Sequence, residues 1–203
     1  MMRVCTERLI IRPLQRADLD AMSIWRPQAD PILASCSPGQ PGEERDAWFT
    51  ALASDLSRRD FAIAEISGQL VGRVSLREID GQACARLGIV IGAEFAECGY
   101  GGEALEGFLG WCFGEGGFAR MVLDVSAANA RAIRIYEKAG FRRASERYQL
   151  VGDEMVAPFL DDPRYADMRQ YFKREDGQVW ALFYEMELTR EAWQRMKAGV
   201  RNG

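Results

Sequence analysis

Histidine is absent from the 203 residues. That excludes every Ser-His-Asp and Cys-His mechanism, and any metal site that needs imidazole. The five cysteines, Cys5, Cys36, Cys84, Cys98 and Cys112, are odd in number, far apart and without a Cys-x-x-Cys pair. A disulfide framework and a zinc site are therefore poor readings, no metal is expected, and reduced thiols in a cytoplasmic protein fit best. No apolar run approaches the ~20 residues that cross a bilayer, and the opening Met1 to Arg8 lacks the apolar stretch of a secretory signal. No membrane partner is expected. A net charge of -4 argues against a nucleic-acid partner.

What is present is the ordinary balance of a globular chain. Apolar residues at 48% and charged residues at 28% allow a sizeable core. The length fits one domain over residues 1–203 with room for an insertion. Leu9 to Ile11 reads as a first strand ended by Pro13. Leu19, Met22 and Trp25 lie at helical spacing, and residues 35–42 are rich in turn formers. A second helix is expected to present Ala47, Trp48, Ala51, Leu52 and Leu56 on one face. The period then changes. Phe61 to Ile66 and Leu70 to Leu76 flank Ser67-Gly68-Gln69, a tight hairpin signal, and Ala83 to Ile91 reads as a third strand. After a glycine-rich turn at residues 98–102, Glu103 to Phe113 carries the apolar stripe Ala104, Leu105, Phe108, Leu109 and Cys112. Met121 to Val125 reads as a strand, Asn129 to Ala139 as a helix, Phe141 onward as a strand, Val179 to Leu188 as the last strand, and Thr189 to Lys197 as a terminal helix. This order predicts an α+β fold, with a largely antiparallel sheet and a parallel section near its middle. The stretch at about 150–178 is long for a connection between two strands and reads as a lid or binding loop. In it, Tyr165, Met168 and Phe172 are spaced for a short amphipathic helix.

Two segments could carry chemistry. In the first, the strand ending at Ile91 leads to Cys98-Gly99-Tyr100-Gly101-Gly102 at a helix start. Such a turn lets backbone N–H groups converge on a phosphate, helped by the helix dipole. It also serves simply as a flexible turn. The match of Gly99, Gly101 and Ala104 to the dinucleotide fingerprint is loose. In the second segment, Asn129 and Tyr136 lie seven residues apart, near one helix face. Asn129 could bind a ligand amide or cap the helix. Tyr136 could donate a proton or pack as an aromatic.

Together the two segments resemble the GNAT superfamily of acetyl-coenzyme A-dependent N-acetyltransferases. The family's Q/R-x-x-G-x-G/A turn corresponds to Ala96-Glu97-Cys98-Gly99-Tyr100-Gly101. Its downstream Asn-x-x-Ala-x-x-x-Tyr-Glu-Lys-x-Gly-Phe segment is matched by Asn129 through Ala132 and Tyr136 to Gly140-Phe141. The opening Thr6 to Pro13 also resembles the ribosomal-protein N-terminal acetyltransferase branch. The resemblance covers about residues 6–147 and the last strand. It implies a mixed sheet whose central parallel pair forms a V-shaped acyl-CoA cleft. Cys98, Gly99, Tyr100, Gly101 and Gly102 would meet the pyrophosphate. Ile89, Val90 and Ile91 would meet the pantetheine through their backbone, and Asn129 would hold that arm. Tyr136 would protonate the leaving thiolate. Acetyl-CoA is the implied cosubstrate, and the implied partner is an amine acceptor, either a small molecule or a protein N-terminus. A homodimer is a further option.

Two positions depart from the pattern. Ala96 stands where the family usually has Gln or Arg. Arg86 stands near the position of a general-base Glu, which leaves Glu65, Glu78 and Asp80 as carboxylate candidates, with Glu78 the catalytic choice. Each also reads as a solvated hairpin charge. From Arg120 to Arg147 the chain carries a charge of +4 within a -4 protein, suited to an adenosine 3'-phosphate or to a solvated face. These departures favour a rival reading: an idle CoA-binding or regulatory protein on the same fold.

Overall fold

The computed structural model describes residues 2–26, 42–151 and 160–201. The turn-rich stretch at 35–42 lies almost wholly outside them, as do Cys36 and Phe159.

The chain opens with β1 (Val4–Cys5) and β2 (Leu9–Pro13). α1 (Arg16–Ser23) follows, its start fixed by a capping box between Gln15 and Asp18. α2 (Gly42–Ser54) packs beside it. Trp48 and Phe49 of α2 join Leu19 and Met22 of α1 over Ala62 and Leu70 of the sheet. The buried side differs from the expected stripe: Ala47 and Ala51 are exposed, and Leu56 lies past the helix end, 93% exposed. Burying two adjacent aromatic rings gains more apolar area than burying an alanine row.

β3 (Arg59–Glu65), β4 (Leu70–Asp80) and β5 (Cys84–Ile91) form the expected meander. A single 3₁₀ turn, Ala93–Phe95, leads to α3 (Tyr100–Phe113). Its predicted apolar stripe is buried. The helix starts three residues earlier than expected, so Tyr100, Gly101 and Gly102 form its first turn instead of a loop. β6 (Arg120–Ser126) and α4 (Ala130–Lys138) follow. Asn129 caps α4, its Oδ1 accepting from the Ala132 N–H at 3.0 Å. Gly140 ends the helix at φ 100°, a region costly for any side chain.

β7 (Arg142–Val151) comes next. Pro163–Tyr171 is a 3₁₀ helix, and β8 (Phe172–Glu175) is a strand absent from the sequence reading. The half-buried positions Tyr165, Met168 and Tyr171 recur every three residues, the 3₁₀ period, so Phe172 belongs to the strand and not to an α-helical face. β9 (Gln178–Thr189) and α5 (Arg190–Arg201) close the chain. Thr189 Oγ1 accepts from the Ala192 N–H at 3.2 Å, as expected of a cap.

The described strands make one sheet in the order β1-β2-β3-β4-β5-β6-β9-β7, with β8 also on β9. All pairs are antiparallel except β5–β6. The main core lies on the face covered by α3 and α4, where Phe108 stands edge-on to Phe61 at 5.2 Å. α1 and α2 cover part of the opposite face.

Two features of this topology position the site. The parallel pairing joins only Cys84–Arg86 to Arg120–Val122. Beyond Arg86 the strands diverge, so from Leu87 to Ile91 β5 has a partner only in β4. This leaves a V that opens toward the C-terminal ends of both strands. Second, β6 pairs β9 over Phe183–Thr189, while β8 pairs β9 over Gln178–Ala181. β7 occupies the other side of β9, so β8 continues the line of β6 past its end, at the wide end of the V.

Candidate active site

The cleft in the V holds a cavity of about 170 Å³. Ile89, Val90 and Ile91 form one wall, and α4 forms the other through Asn129, Arg131, Ala132, Ile135 and Tyr136. Phe95, Ala96, Glu97, Gly99, Tyr100, Gly101 and Gly102 close the end at the start of α3. A mostly apolar channel thus leads to a helix N-terminus, whose first N–H groups have no intrahelical acceptor.

The turn before α3 is tightly wound. Glu97 and Gly99 both have positive φ, 70° and 81°. A Cβ on Gly99 would also stand 3.3 Å from Arg8 Nη2. Arg8 braces the turn: its guanidinium donates to the Cys98 carbonyl at 3.0 Å and to Glu103 Oε2 at 2.7 Å, and it lies over the Tyr100 ring at 4.8 Å. Glu103 Oε1 accepts from the Thr6 hydroxyl at 2.6 Å and from the Arg8 N–H at 2.8 Å. Burial alone would raise the Glu103 carboxyl, but the bonds from Thr6 and Arg8 outweigh it and hold the group below the usual carboxylate range. The Tyr100 hydroxyl donates to Glu65, which pushes the phenol up and the carboxyl down.

On α4, Asn129, Ala132 and Tyr136 follow a spacing of three and four and share one face. Tyr136 is buried, with its ring edge-on to Phe141 at 5.9 Å. Arg131 reaches the cleft rim, 3.6 Å from Glu97.

At the narrow end of the V lies a charged cluster. Arg86 donates to Glu78 at 2.8 Å, Asp124 at 2.8 Å and Glu185 at 3.0 Å. Arg147 adds bonds to Asp124 at 2.8 Å and Glu185 at 3.5 Å. Burial lowers the pKa of the Arg86 guanidinium, but its bonds to Glu78 and Glu185 prevail and raise it above its ordinary value. Arg86 in turn holds the Glu185 carboxyl low.

A model of the acetyltransferase (GNAT) domain matches residues 8–142. The chain belongs to this GNAT acetyltransferase family. No curated protein sequence matches it. Among solved structures, it is similar to a spermidine N-acetyltransferase from Vibrio cholerae crystallised with CoA and spermine. The two are 19% identical, the match covers 93% of this chain and 99% of that one, and the TM-score is 0.67. A GNAT-family acetyltransferase from Bacillus anthracis is likewise 19% identical over 94% of this chain and 99% of that one, with a TM-score of 0.67. At these identities the likeness establishes the GNAT fold: a mostly antiparallel mixed sheet with one parallel pair and flanking helices.

On this GNAT fold, nine of the sequence-selected residues line one cleft: Ile89, Val90, Ile91, Gly99, Tyr100, Gly101, Gly102, Asn129 and Tyr136. Cys98 and Glu78 do not line it. Cys98 presents its carbonyl to Arg8, and Glu78 is 65% exposed and paired with Arg86. The basic run from Arg120 to Arg147 is dispersed by the fold. Arg131 faces the cleft, whereas Arg120 pairs with Glu187 and Arg147 with Asp124 and Glu185. Sequence reasoning missed the brace of Thr6, Arg8 and Glu103. Its one signal was an acid in the first turns of a helix, which does not show a partner 95 residues away. Phe95 and Ile135 were also missed. Ile135 lay in plain view, three residues after Ala132 on the cleft-facing side of α4.

Proposed function

We propose that this GNAT protein is an acyl-CoA-dependent N-acyltransferase, moving an acetyl group from acetyl-CoA to a primary amine by direct attack. The observation that carries this reading is the divergence of β5 from β6 beside Asn129 and Tyr136. Backbone polar groups from Leu87 to Val90 are left without a strand partner on that side, and such groups need one. The residues fit an extended pantetheine. The apolar walls of Ile89, Ile91 and Ile135 suit its methylenes, and the edge of β5 suits its amides. The absence of a side chain on Gly101 keeps the channel clear toward the α3 N-terminus.

The backbone N–H groups at the start of α3 would hold the pyrophosphate. Arg131 would supply the phosphate-facing cation that Ala96 cannot. Asn129 spends its Oδ1 on the helix cap and keeps its amide N–H groups for the pantetheine arm. As the amine nitrogen bonds to the thioester carbon, N–H groups of β5 bear the charge that gathers on the carbonyl oxygen. The C–S bond breaks, and Tyr136 gives its proton to the sulfur. Glu78 is committed to Arg86, so the acceptor must enter as the neutral amine, and the proton it loses passes through water to restore the Tyr136 hydroxyl. No covalent enzyme intermediate is required.

The acceptor belongs to the primary amines, a protein N-terminus or a small molecule. The opening Thr6 to Pro13 supports the ribosomal-protein branch, whereas the Vibrio cholerae relative was crystallised with spermine. We also propose that the 3₁₀ helix and β8 act as a lid over the acceptor, because β8 lies at the wide end of the V. Incubation with acetyl-CoA and an amine panel, read by mass spectrometry, tests the function. An acetylated amine formed only with the native protein supports it. CoA binding without transfer to any amine would favour the idle rival.

A further inference from the structure

α3 leaves its first backbone donors free, and residues outside the cleft hold them in place. Among the described residues, the N–H groups of Gly99, Tyr100, Gly101 and Gly102 have no backbone acceptor. The next N–H, that of Glu103, reaches the Gly99 carbonyl at 3.2 Å. All four residues with free donors line the cleft. Where those donors point depends on the turn before them. Glu97 stands at φ 70°, an uncommon conformation for a residue with a side chain, and Gly99 at φ 81°. Such a turn persists only where its surroundings hold it.

Arg8 holds this turn at both ends. Its Nη1 donates to the Cys98 carbonyl at 3.0 Å, and its Nε and Nη2 both lie 2.7 Å from Glu103 Oε2. In a trans peptide the carbonyl and the following N–H point opposite ways. Tying the Cys98 carbonyl to Arg8 therefore turns the Gly99 N–H to the opposite side of the turn, and Gly99 lines the cleft where neither Cys98 nor Arg8 does. The seat of Arg8 is itself close-packed. The Thr6 hydroxyl donates to Glu103 Oε1 at 2.6 Å, and a Cβ on Gly107 would stand 2.6 Å from Thr6 Cγ2, so α3 lies directly on the turn between β1 and β2. Arg8 also cancels a charge. The Glu103 side chain is 17% exposed and follows directly on the free N–H groups. Unpaired, its carboxylate would repel a phosphate there.

We propose that Arg8, tied through Glu103 to Thr6, is the positioning residue for the pyrophosphate of the acyl donor, and that it sets the preference for donors that carry a pyrophosphate over the bare pantetheine thioester. The proposal rests on the acyltransfer reading above and names what selects its donor. Removing the guanidinium frees the Cys98 carbonyl, lets the turn at Glu97 and Gly99 relax, and leaves Glu103 unpaired beside the phosphates. All three changes weaken pyrophosphate binding. None of them touches Ile89, Ile91 and Ile135, the walls that suit the pantetheine.

Calorimetric titration of CoA and of pantetheine tests this without an acceptor, on the native protein, Arg8→Gln, Arg8→Lys and Thr6→Val. The native protein should bind CoA at least about tenfold more tightly than pantetheine. Arg8→Gln should weaken CoA binding by about tenfold or more, the worth of one charged hydrogen bond, and should change pantetheine binding by less than about twofold. Arg8→Lys keeps a charge beside Glu103 but lacks the planar fork that reaches Glu103 and Cys98 together, so its CoA affinity should fall between the two. Thr6→Val loosens Glu103 and should weaken CoA binding by a smaller factor, again sparing pantetheine. Thermal melting identifies a variant that fails to fold. If Arg8→Gln is one, Arg8→Lys and Thr6→Val decide: each must weaken CoA and spare pantetheine. Equal weakening of both ligands, or native CoA affinity in Arg8→Gln, would overturn this proposal and leave the acyltransfer reading standing. A native protein that binds no CoA would remove that reading and this proposal with it.

Discussion

Replacing Arg86 by methionine keeps the length and apolar stem of the side chain and removes its charge. In the native fold the Arg86 side chain is 14% exposed and faces Asp124 at 17%, Glu185 at 25% and Glu78 at 65%. Glu78 is too exposed for its pair to contribute much. Asp124 and Glu185 would keep only Arg147, itself 43% exposed. Removing one partner of a buried ion pair costs about 3–5 kcal/mol, and partial solvation here brings the expectation to roughly 2–4 kcal/mol. For a chain of this size that lowers Tm by about 5–15 °C.

The pH dependence carries the sign. Glu185 is held low in the folded protein. Its contribution is therefore fully present above the unfolded carboxyl value, about 4.3, and is lost as pH falls through the lower folded value. The native protein should lose this contribution in acid, whereas Arg86→Met has already lost it. Urea unfolding followed by circular dichroism at pH 7 and at about pH 3 should show the gap between the two closing. An Arg86→Met protein as stable as the native at pH 7, or a gap of equal size in acid, would refute the view that this cation holds the narrow end of the V together.

Tyr136→Phe should lower turnover by about a hundredfold or more while acetyl-CoA affinity holds, because the hydroxyl acts as the thiolate leaves. A single-turnover rate equal to native would remove Tyr136 from the chemistry. Tyr165→Ala and Tyr171→Ala should each raise acceptor KM and leave acetyl-CoA affinity native, as steady-state kinetics with the true acceptor would report. Variants that lose only stability, with acceptor kinetics intact, would make the segment a packing element and not a lid.

α4 was legible almost to the residue because its signals are local: a cap at Asn129, a left-handed exit at Gly140, and an apolar face between them. The meander was legible for the same reason, through its period of two and the turn at Gly68. The start of α3 was not. Glycines disfavour helix interiors, but here tertiary contacts hold them in the first turn, with Glu103 locked to Thr6 and Arg8 of the turn between β1 and β2. β8 was invisible because Phe172-Lys173-Arg174-Glu175 has no period of its own. It is a strand because β9 offers the edge that β6 leaves. The role of Arg86 was equally hidden, since its partners Asp124 and Glu185 lie 38 and 99 residues away. The cleft residues were found through motif spacing, and their convergence follows from a strand divergence that spacing alone does not encode.

Calorimetric titration of acetyl-CoA into the native protein and into Gly101→Val tests the proposed function most directly. Gly101 lines the cleft, and its Cβ position lies 3.6 Å from Ile91 Cγ1. A branched side chain there would fill the channel between the β5 wall and the α3 N-terminus. The account predicts saturable binding to the native protein within the micromolar-to-millimolar span usual for enzyme substrates, about 1 μM to 1 mM, and its loss in the folded variant. No binding to the native protein at about millimolar ligand, or equal binding by the two proteins, would contradict it.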